Sequence, residues 1–210
     1  MAKVTRKPDK ALLRKLAPKT TPIRKGTELW RIYFRGGKHP TRWNEFRHVG
    51  PVDARFDHHE GDEPSTQERS VLYVAADPLT CLAEVFQKQR VIKRSQSDGW
   101  LVGFAVAEDT AVLDLTGKFP TQAGASMGLM TGARSVSRNW ARAFYPVYPK
   151  IHGLRYPSSM HANAPAIVFN DRAETRGIIP KQSGFHRSLT DPSLITFLKN
   201  AAYELGYLLG

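Results

Sequence analysis

The sequence reads as an α+β domain, and three observations carry that reading. Aromatic and β-branched runs at 28–34 (ELWRIYF), 70–76 (SVLYVAA), 100–106 (WLVGFAV), 111–115 (AVLDL), 151–156 and 165–170 (PAIVFN) have the composition of strands. Asp77-Pro78 and Asp191-Pro192 each supply an N-cap followed by proline at the first helical position. Strands and helices do not alternate regularly enough for a doubly wound parallel sheet, and neither an internal repeat nor a second-domain boundary is present.

In chain order, residues 1–25 hold nine of the 31 Lys/Arg and one of the 19 acids, Asp9. They account for +8 of the net charge of +12. Pro8, Pro18 and Pro22 interrupt the segment, and its apolar cluster is short (Ala11, Leu12, Leu13, Leu16). It is expected to be a basic, partly disordered arm, with the domain proper spanning 26–210. Residues 36–69 show no sustained period and read as a long functional loop. The helix opened by Asp77 is expected to run to about Gln89, with Leu79, Leu82, Ala83 and Phe86 on one stripe. Residues 117–133, rich in Gly, Ser, Thr and Met, read as a mobile loop. Residues 134–145 carry Val136, Trp140, Ala143 and Phe144 at helical spacing. The last helix carries Leu194, Ile195, Leu198, Ala202, Leu205 and Leu209 on one side.

Several function classes are excluded or disfavoured. No apolar run reaches the roughly 18–20 residues that span a bilayer, so no membrane function is expected. The single cysteine, Cys81, cannot form an intrachain disulfide. Phosphate-loop, dinucleotide-binding GxGxxG, HExxH and nucleophile-elbow motifs are missing. The adjacent His58 and His59 are poorly spaced for one metal, and no metal site is expected. A pI near 10 suggests nucleic-acid binding, but most of the excess charge lies in the arm, and no nucleic-acid-binding motif accompanies it.

A scattered polar set remains beside the strands and the first helix. Arg31 lies within ELWRIYF, Arg55 within ARFD, Tyr73 at the centre of an aliphatic strand, and Ser158 after GLRYP. Glu84 lies about 140° round the helix from Leu79, off the apolar stripe. Taken singly, each has an ordinary structural explanation: a solvated arginine or glutamate, a core tyrosine, a turn serine. Cys81 reads as an inert buried thiol.

In order, these residues and their neighbours resemble the RES domain. The pattern is Leu29-Trp30-Arg31-Ile32-Tyr33, His39-Pro40 with Trp43-Asn44, Gly50-Pro51, and Ala54-Arg55-Phe56-Asp57. It continues through Val71-Leu72-Tyr73-Val74-Ala75, Leu82-Ala83-Glu84-Val85-Phe86, Gly153-Leu154-Arg155-Tyr156-Pro157-Ser158 and Ala166-Ile167-Val168-Phe169. It covers roughly residues 27–172. The resemblance implies a mixed, mostly antiparallel β core similar to ADP-ribosyltransferases, flanked by helices. It implies a cytoplasmic toxin of a bacterial toxin–antitoxin pair that breaks the nicotinamide–ribose bond of NAD⁺, with NAD⁺ as substrate and no cofactor.

On that resemblance Glu84, Arg31 and Tyr73 are catalytic, and Arg31, Arg55, Tyr73 and Ser158 bind NAD⁺, with Ser159 an alternative to Ser158. The implied partner is a helix-turn-helix antitoxin, through which alone nucleic acid is met, and homo-oligomerisation within that complex stays open. The acceptor is water or phosphate in one reading and a protein in another, an ADP-ribosyltransferase. A reading of a different class is a nucleic-acid-binding protein that uses the basic arm.

Overall fold

The computed structural model describes residues 7–210. The chain opens with α1 (Lys10–Lys15), β1 (Thr20–Ile23), β2 (Glu28–Phe34), β3 (Arg47–Gly50) and β4 (Ser65–Ala75). α2 (Pro78–Val85), β5 (Val91–Ile92), β6 (Gly99–Ala105) and β7 (Thr110–Asp114) follow. Three helices come next: α3 (Phe119–Gln122), α4 (Gly128–Thr131) and α5 (Arg134–Val147). The chain ends with β8 (Gly153–Pro157), β9 (Pro165–Asn170), α6 (Asp171–Thr175), β10 (Phe185–Ser188), a 3₁₀ turn, α7 (Ile195–Leu205) and β11 (Leu208–Leu209).

The main sheet runs β1-β7-β8-β9-β4-β2-β6-β10, with β3 also pairing β4. Its pairs are antiparallel except β7 with β8, so the α+β reading with a mostly antiparallel core holds. One junction in it is weak. β2 runs its full length against β6, and β4 runs from Val71 to Ala75 against β9. Yet β2 and β4 meet at a single register position, Trp30 opposite Ala75. The sheet therefore divides there into two blades.

Each blade has its own apolar cover. α5, with Trp140 and Phe144, packs with Phe119, Leu129 and Met130 on Leu113, Leu154 and Val168. α2 and α7 pack Leu82, Phe86 and Leu198 on Ile32 and Leu101. Trp30 ties β2 to β6: a Cβ at Gly103 would come within 2.9 Å of its ring, so only glycine fits beneath it. Among the described residues no helix is long and apolar enough to cross a membrane.

Four expectations are corrected. Residues 9–23 are part of the fold and not a solvated arm. Asp9 caps α1 through the Ala11 and Leu12 amides, Leu13 is fully buried, and the Tyr148 hydroxyl donates to the Leu13 carbonyl at 2.8 Å. β1 pairs with β7 at the sheet edge, where Pro22 costs no central ladder bond. Residues 1–6 of the predicted arm lie outside the described residues.

Residues 117–133 are likewise ordered. Phe119, Leu129 and Met130 are buried among α5 side chains, and Arg55 Nη1 donates to the Leu129 and Gly132 carbonyls at 3.3 and 3.2 Å. The predicted loop 36–69 contains β3 and the polar first half of β4, whose exposed residues carry no apolar alternation. Finally, both capped helices end early. α2 stops at Val85, and α7 stops at Gly206 in the left-handed region (φ 65°), which frees Leu208 and Leu209 to pair with β5.

Leu13→Ala is expected to destabilise the protein by about 3 kcal/mol in urea denaturation, as a buried leucine does. A solvated arm would give a change within about 0.5 kcal/mol.

Candidate active site

A cavity of about 300 Å³ opens where the two blades diverge. β2 supplies Arg31 and Ile32 to its wall, and β4 supplies Tyr73, Val74 and Ala75. α2 supplies Cys81, Glu84 and Val85, and the loop after β3 supplies Asp53, Ala54 and Arg55. Thus the structure brings Arg31, Arg55, Tyr73 and Glu84 together, from four segments far apart in the chain.

Glu84 is set by the start of α2. Asp77 accepts from the Thr80 amide and hydroxyl, each at 2.7 Å, and Pro78 presets the first turn. The apolar stripe of Cys81, Leu82 and Phe86 then packs into the core, leaving Glu84 half-buried beside the cavity. The Ser158 hydroxyl donates to Glu84 Oε1 at 2.5 Å. Its oxygen accepts from the Met160 and His161 amides at 3.1 and 3.2 Å. Gln87 Nε2 holds the other side, donating to the Glu84 carbonyl at 2.6 Å and to Oε2 at 3.5 Å.

Ser158 is 1% exposed and does not line the cavity; it stands behind Glu84. Ser159 is exposed and lies outside the cavity.

The two arginines are anchored by one nitrogen each. Arg31 Nη1 donates to the Trp43 and Glu45 carbonyls at 3.1 and 3.3 Å, while Arg55 Nη1 holds the carbonyls before α5. Among the described residues neither has a carboxylate within ion-pair distance. Burial therefore pushes the Arg31 guanidinium down to about 10. Burial, then the charge of Arg134, lowers that of Arg55, while Glu84 acts in the opposite sense. Cations held without a counter-ion, and with donors unspent, form a site for an anion.

Tyr73 donates its hydroxyl to the Arg55 carbonyl at 3.0 Å, so its ring is what it offers the cavity. Burial raises the Tyr73 phenol and also that of Tyr156, which lines the same cavity. Both are neutral at physiological pH. Burial also raises the Cys81 thiol, which keeps it protonated and unreactive.

The loop that carries Asp53 and Arg55 is fixed from beneath by Asp57. This fully buried carboxylate accepts from Arg47 Nη2 (2.9 Å), the Val52 amide (2.9 Å) and His59 Nδ1 (2.5 Å). Burial opposes its charge, but the His59 bond and the Arg47 charge hold its carboxyl well below the usual carboxylate range. At Gly50 a Cβ would fall 2.4 Å from the His59 ring, so the turn needs glycine.

Arg134, Asp53, Gln87 and Tyr156 also line the cavity, and no local sequence signal marks them. Tyr156 lies within the strand-like GLRYP run, where nothing marks its side. Arg134 begins an amphipathic helix that also carries Arg138 and Arg142, and residue type alone does not separate them.

A family model described as RES domain matches residues 28–190. Among curated proteins none matches this chain. A chain of the crystal structure of the M. tuberculosis MbcT-MbcA toxin–antitoxin complex is similar in fold, with a TM-score of 0.56 and 19% identity. The similarity covers 85% of this chain and 92% of that one.

Ser158→Ala would leave Glu84 Oε1 and two amides without their partner in a buried setting. The expected loss is about 2 kcal/mol in urea denaturation. The corresponding change at the exposed Ser159 is expected to cost less than about 0.5 kcal/mol.

Proposed function

The chain belongs to the RES-domain family, and on that premise we propose that it is the toxin of a toxin–antitoxin pair and an enzyme that cleaves the nicotinamide–ribose bond of NAD⁺. The observation that carries the reading is the pair Arg31 and Arg55. They are two guanidiniums without carboxylate partners, in one cavity with a carboxylate that is itself held on both sides.

NAD⁺ joins an anionic pyrophosphate to a cationic nicotinamide riboside. Guanidiniums suit the pyrophosphate through charge-assisted bonds, and a carboxylate suits the ribose end. The cavity is at the small end of ligand sites, about 300–1,000 Å³ as a class. It takes the nicotinamide riboside and pyrophosphate, with adenosine toward the mouth.

In the reaction the C–N bond to the anomeric carbon breaks and its electron pair goes to the pyridinium nitrogen. Nicotinamide departs neutral and needs no general acid. Positive charge grows on the ribose as in glycoside cleavage. Glu84 accepts a hydrogen bond from the ribose 2′-hydroxyl and stabilises that charge. Ser158 and Gln87 keep the carboxylate aimed, so Ser158 acts as a positioning residue and not as a contact to the carboxamide. The Tyr73 ring borders nicotinamide, and the Tyr156 phenol is a neutral donor beside it. Water completes the reaction to ADP-ribose and a proton; inorganic phosphate in its place gives ADP-ribose 1″-phosphate.

The similar fold occurs in a complex described as toxin–antitoxin. That likeness supports an antitoxin as the proposed partner of this chain; action in the cytoplasm is proposed on the family reading.

Incubation of the purified protein with NAD⁺, with and without phosphate, is expected to release nicotinamide, the sugar product being identified by mass spectrometry. Glu84→Gln and Glu84→Ala are each expected to abolish NAD⁺ loss with an unchanged circular dichroism spectrum. Turnover by Glu84→Ala at the wild-type rate overturns the assignment. ADP-ribose attached to protein in place of free product makes the chain a transferase.

A further inference from the structure

The third guanidinium at the cavity, Arg134, differs from the other two because a carboxylate already occupies it. Arg134 Nη1 donates to Asp53 Oδ2 at 2.5 Å and to the Asp53 carbonyl at 3.2 Å; Nη2 reaches Gln87 Oε1 at 3.4 Å. The exposures are unequal. The Arg134 side chain is 21% exposed and the Asp53 side chain 63%. Asp53 also meets the exposed Lys88 Nζ, just beyond α2, at 3.4 Å. Asp53 thus lies at the cavity mouth, and its carboxylate can leave Arg134 for water at little cost, as exposed ion-pair partners do.

Arg134 and Arg55 also belong to one electrostatic site. Both line the one cavity, and the charge of Arg134 helps to depress the Arg55 guanidinium. A single dianionic group between them would satisfy both, whereas Asp53 carries one charge and serves one of them.

We infer that Arg134 is a further pyrophosphate-binding residue, and that Asp53 is a built-in anion which holds that position until the substrate phosphate displaces it. The inference rests on the reading of this cavity as an NAD⁺ site and extends it. In the free protein Asp53 keeps Arg134 turned toward the cavity and offsets its repulsion of Arg55. On binding, a phosphate oxygen replaces Asp53 Oδ2, and Asp53 keeps Lys88 or takes water. The exchange lowers affinity for mononucleosides and other ligands without a phosphate pair, which cannot displace the carboxylate. It makes the cavity selective for pyrophosphate esters.

Removal of the carboxylate does not release the loop. Arg138 Nη1 donates to the Val52 carbonyl at 2.9 Å, the Phe56 amide donates to Ser137 Oγ at 3.4 Å, and Asp57 grips the Val52 amide. A substitution at Asp53 therefore tests electrostatics in a loop that stays folded.

The test is titration calorimetry of ADP-ribose against the wild-type protein, Asp53→Asn, Arg134→Gln and the double variant, each first checked for a native urea midpoint. Asp53→Asn is expected to tighten binding about two- to fivefold, and Arg134→Gln to weaken it about tenfold. The double variant is expected to match Arg134→Gln, because Asp53 acts only through Arg134. Unchanged or weaker binding by Asp53→Asn overturns the inference, as does a gain that persists without Arg134. The underlying reading fails separately. If wild-type protein binds ADP-ribose without consuming NAD⁺, the catalytic reading falls while these ratios still decide the inference. If it binds no ADP-ribose, both fall.

Discussion

β2 and β4 touch at one register position, Trp30 opposite Ala75, and the functional geometry depends on that narrow junction. A continuous ladder between them would close the space that Arg31 and Tyr73 now border. The parting is sustained because each blade is complete without the other. Trp30 lies on Gly103 and locks β2 to β6, and β9 holds β4 from Val71 to Ala75. α2 then spans the gap, with one side packed under Ile32 and Leu101 and Glu84 left at the opening. A half-open site results, walled by β2, β4, α2 and the loop after β3.

Around that opening the protein leaves cations uncompensated. Arg31 and Arg55 are tied through single nitrogens to backbone carbonyls, which fixes their position and neutralises nothing. Burying charge in this way costs stability unless an anion arrives. Beneath them Asp57 collects Arg47, His59 and the Val52 amide into one buried ionic cluster that fixes the loop carrying Arg55. The same tie from Arg55 to Leu129 and Gly132 organises the Gly-rich stretch before α5. Site and fold thus share a residue: the guanidinium proposed for substrate also orders the segment beside it.

Much of this was legible in the chain. The aromatic and aliphatic runs located β2, β6, β7, β8 and β9, and the Asp-Pro pairs located α2 and the turn into α7, because caps and apolar stripes are local signals. Arg31, Tyr73, Arg55 and Glu84 were found through an ordered family pattern, and the structure gathers all four. What stayed hidden depends on distant partners. The basic segment looked solvated because its charges outnumber its apolar residues, yet one leucine, Leu13, anchors it beneath Tyr148. Residues 117–133 looked mobile by composition, though burial of Phe119, Leu129 and Met130 orders them. The bond from the Ser158 hydroxyl to Glu84 is likewise invisible to local sequence, since it joins residues 74 apart. Arg134 carried no local mark, since its role arises from where α5 begins relative to the loop after β3.

Where a dinucleotide sits decides the function of the cavity. A crystal structure of the Glu84→Gln variant grown with NAD⁺ tests this most directly, because the intact substrate persists when the carboxylate is absent. The pyrophosphate is expected on the free nitrogens of Arg31 and Arg55, with the nicotinamide ribose beside residue 84 and the Tyr73 ring. An empty cavity at millimolar NAD⁺, or a dinucleotide bound elsewhere on the molecule, would contradict the account.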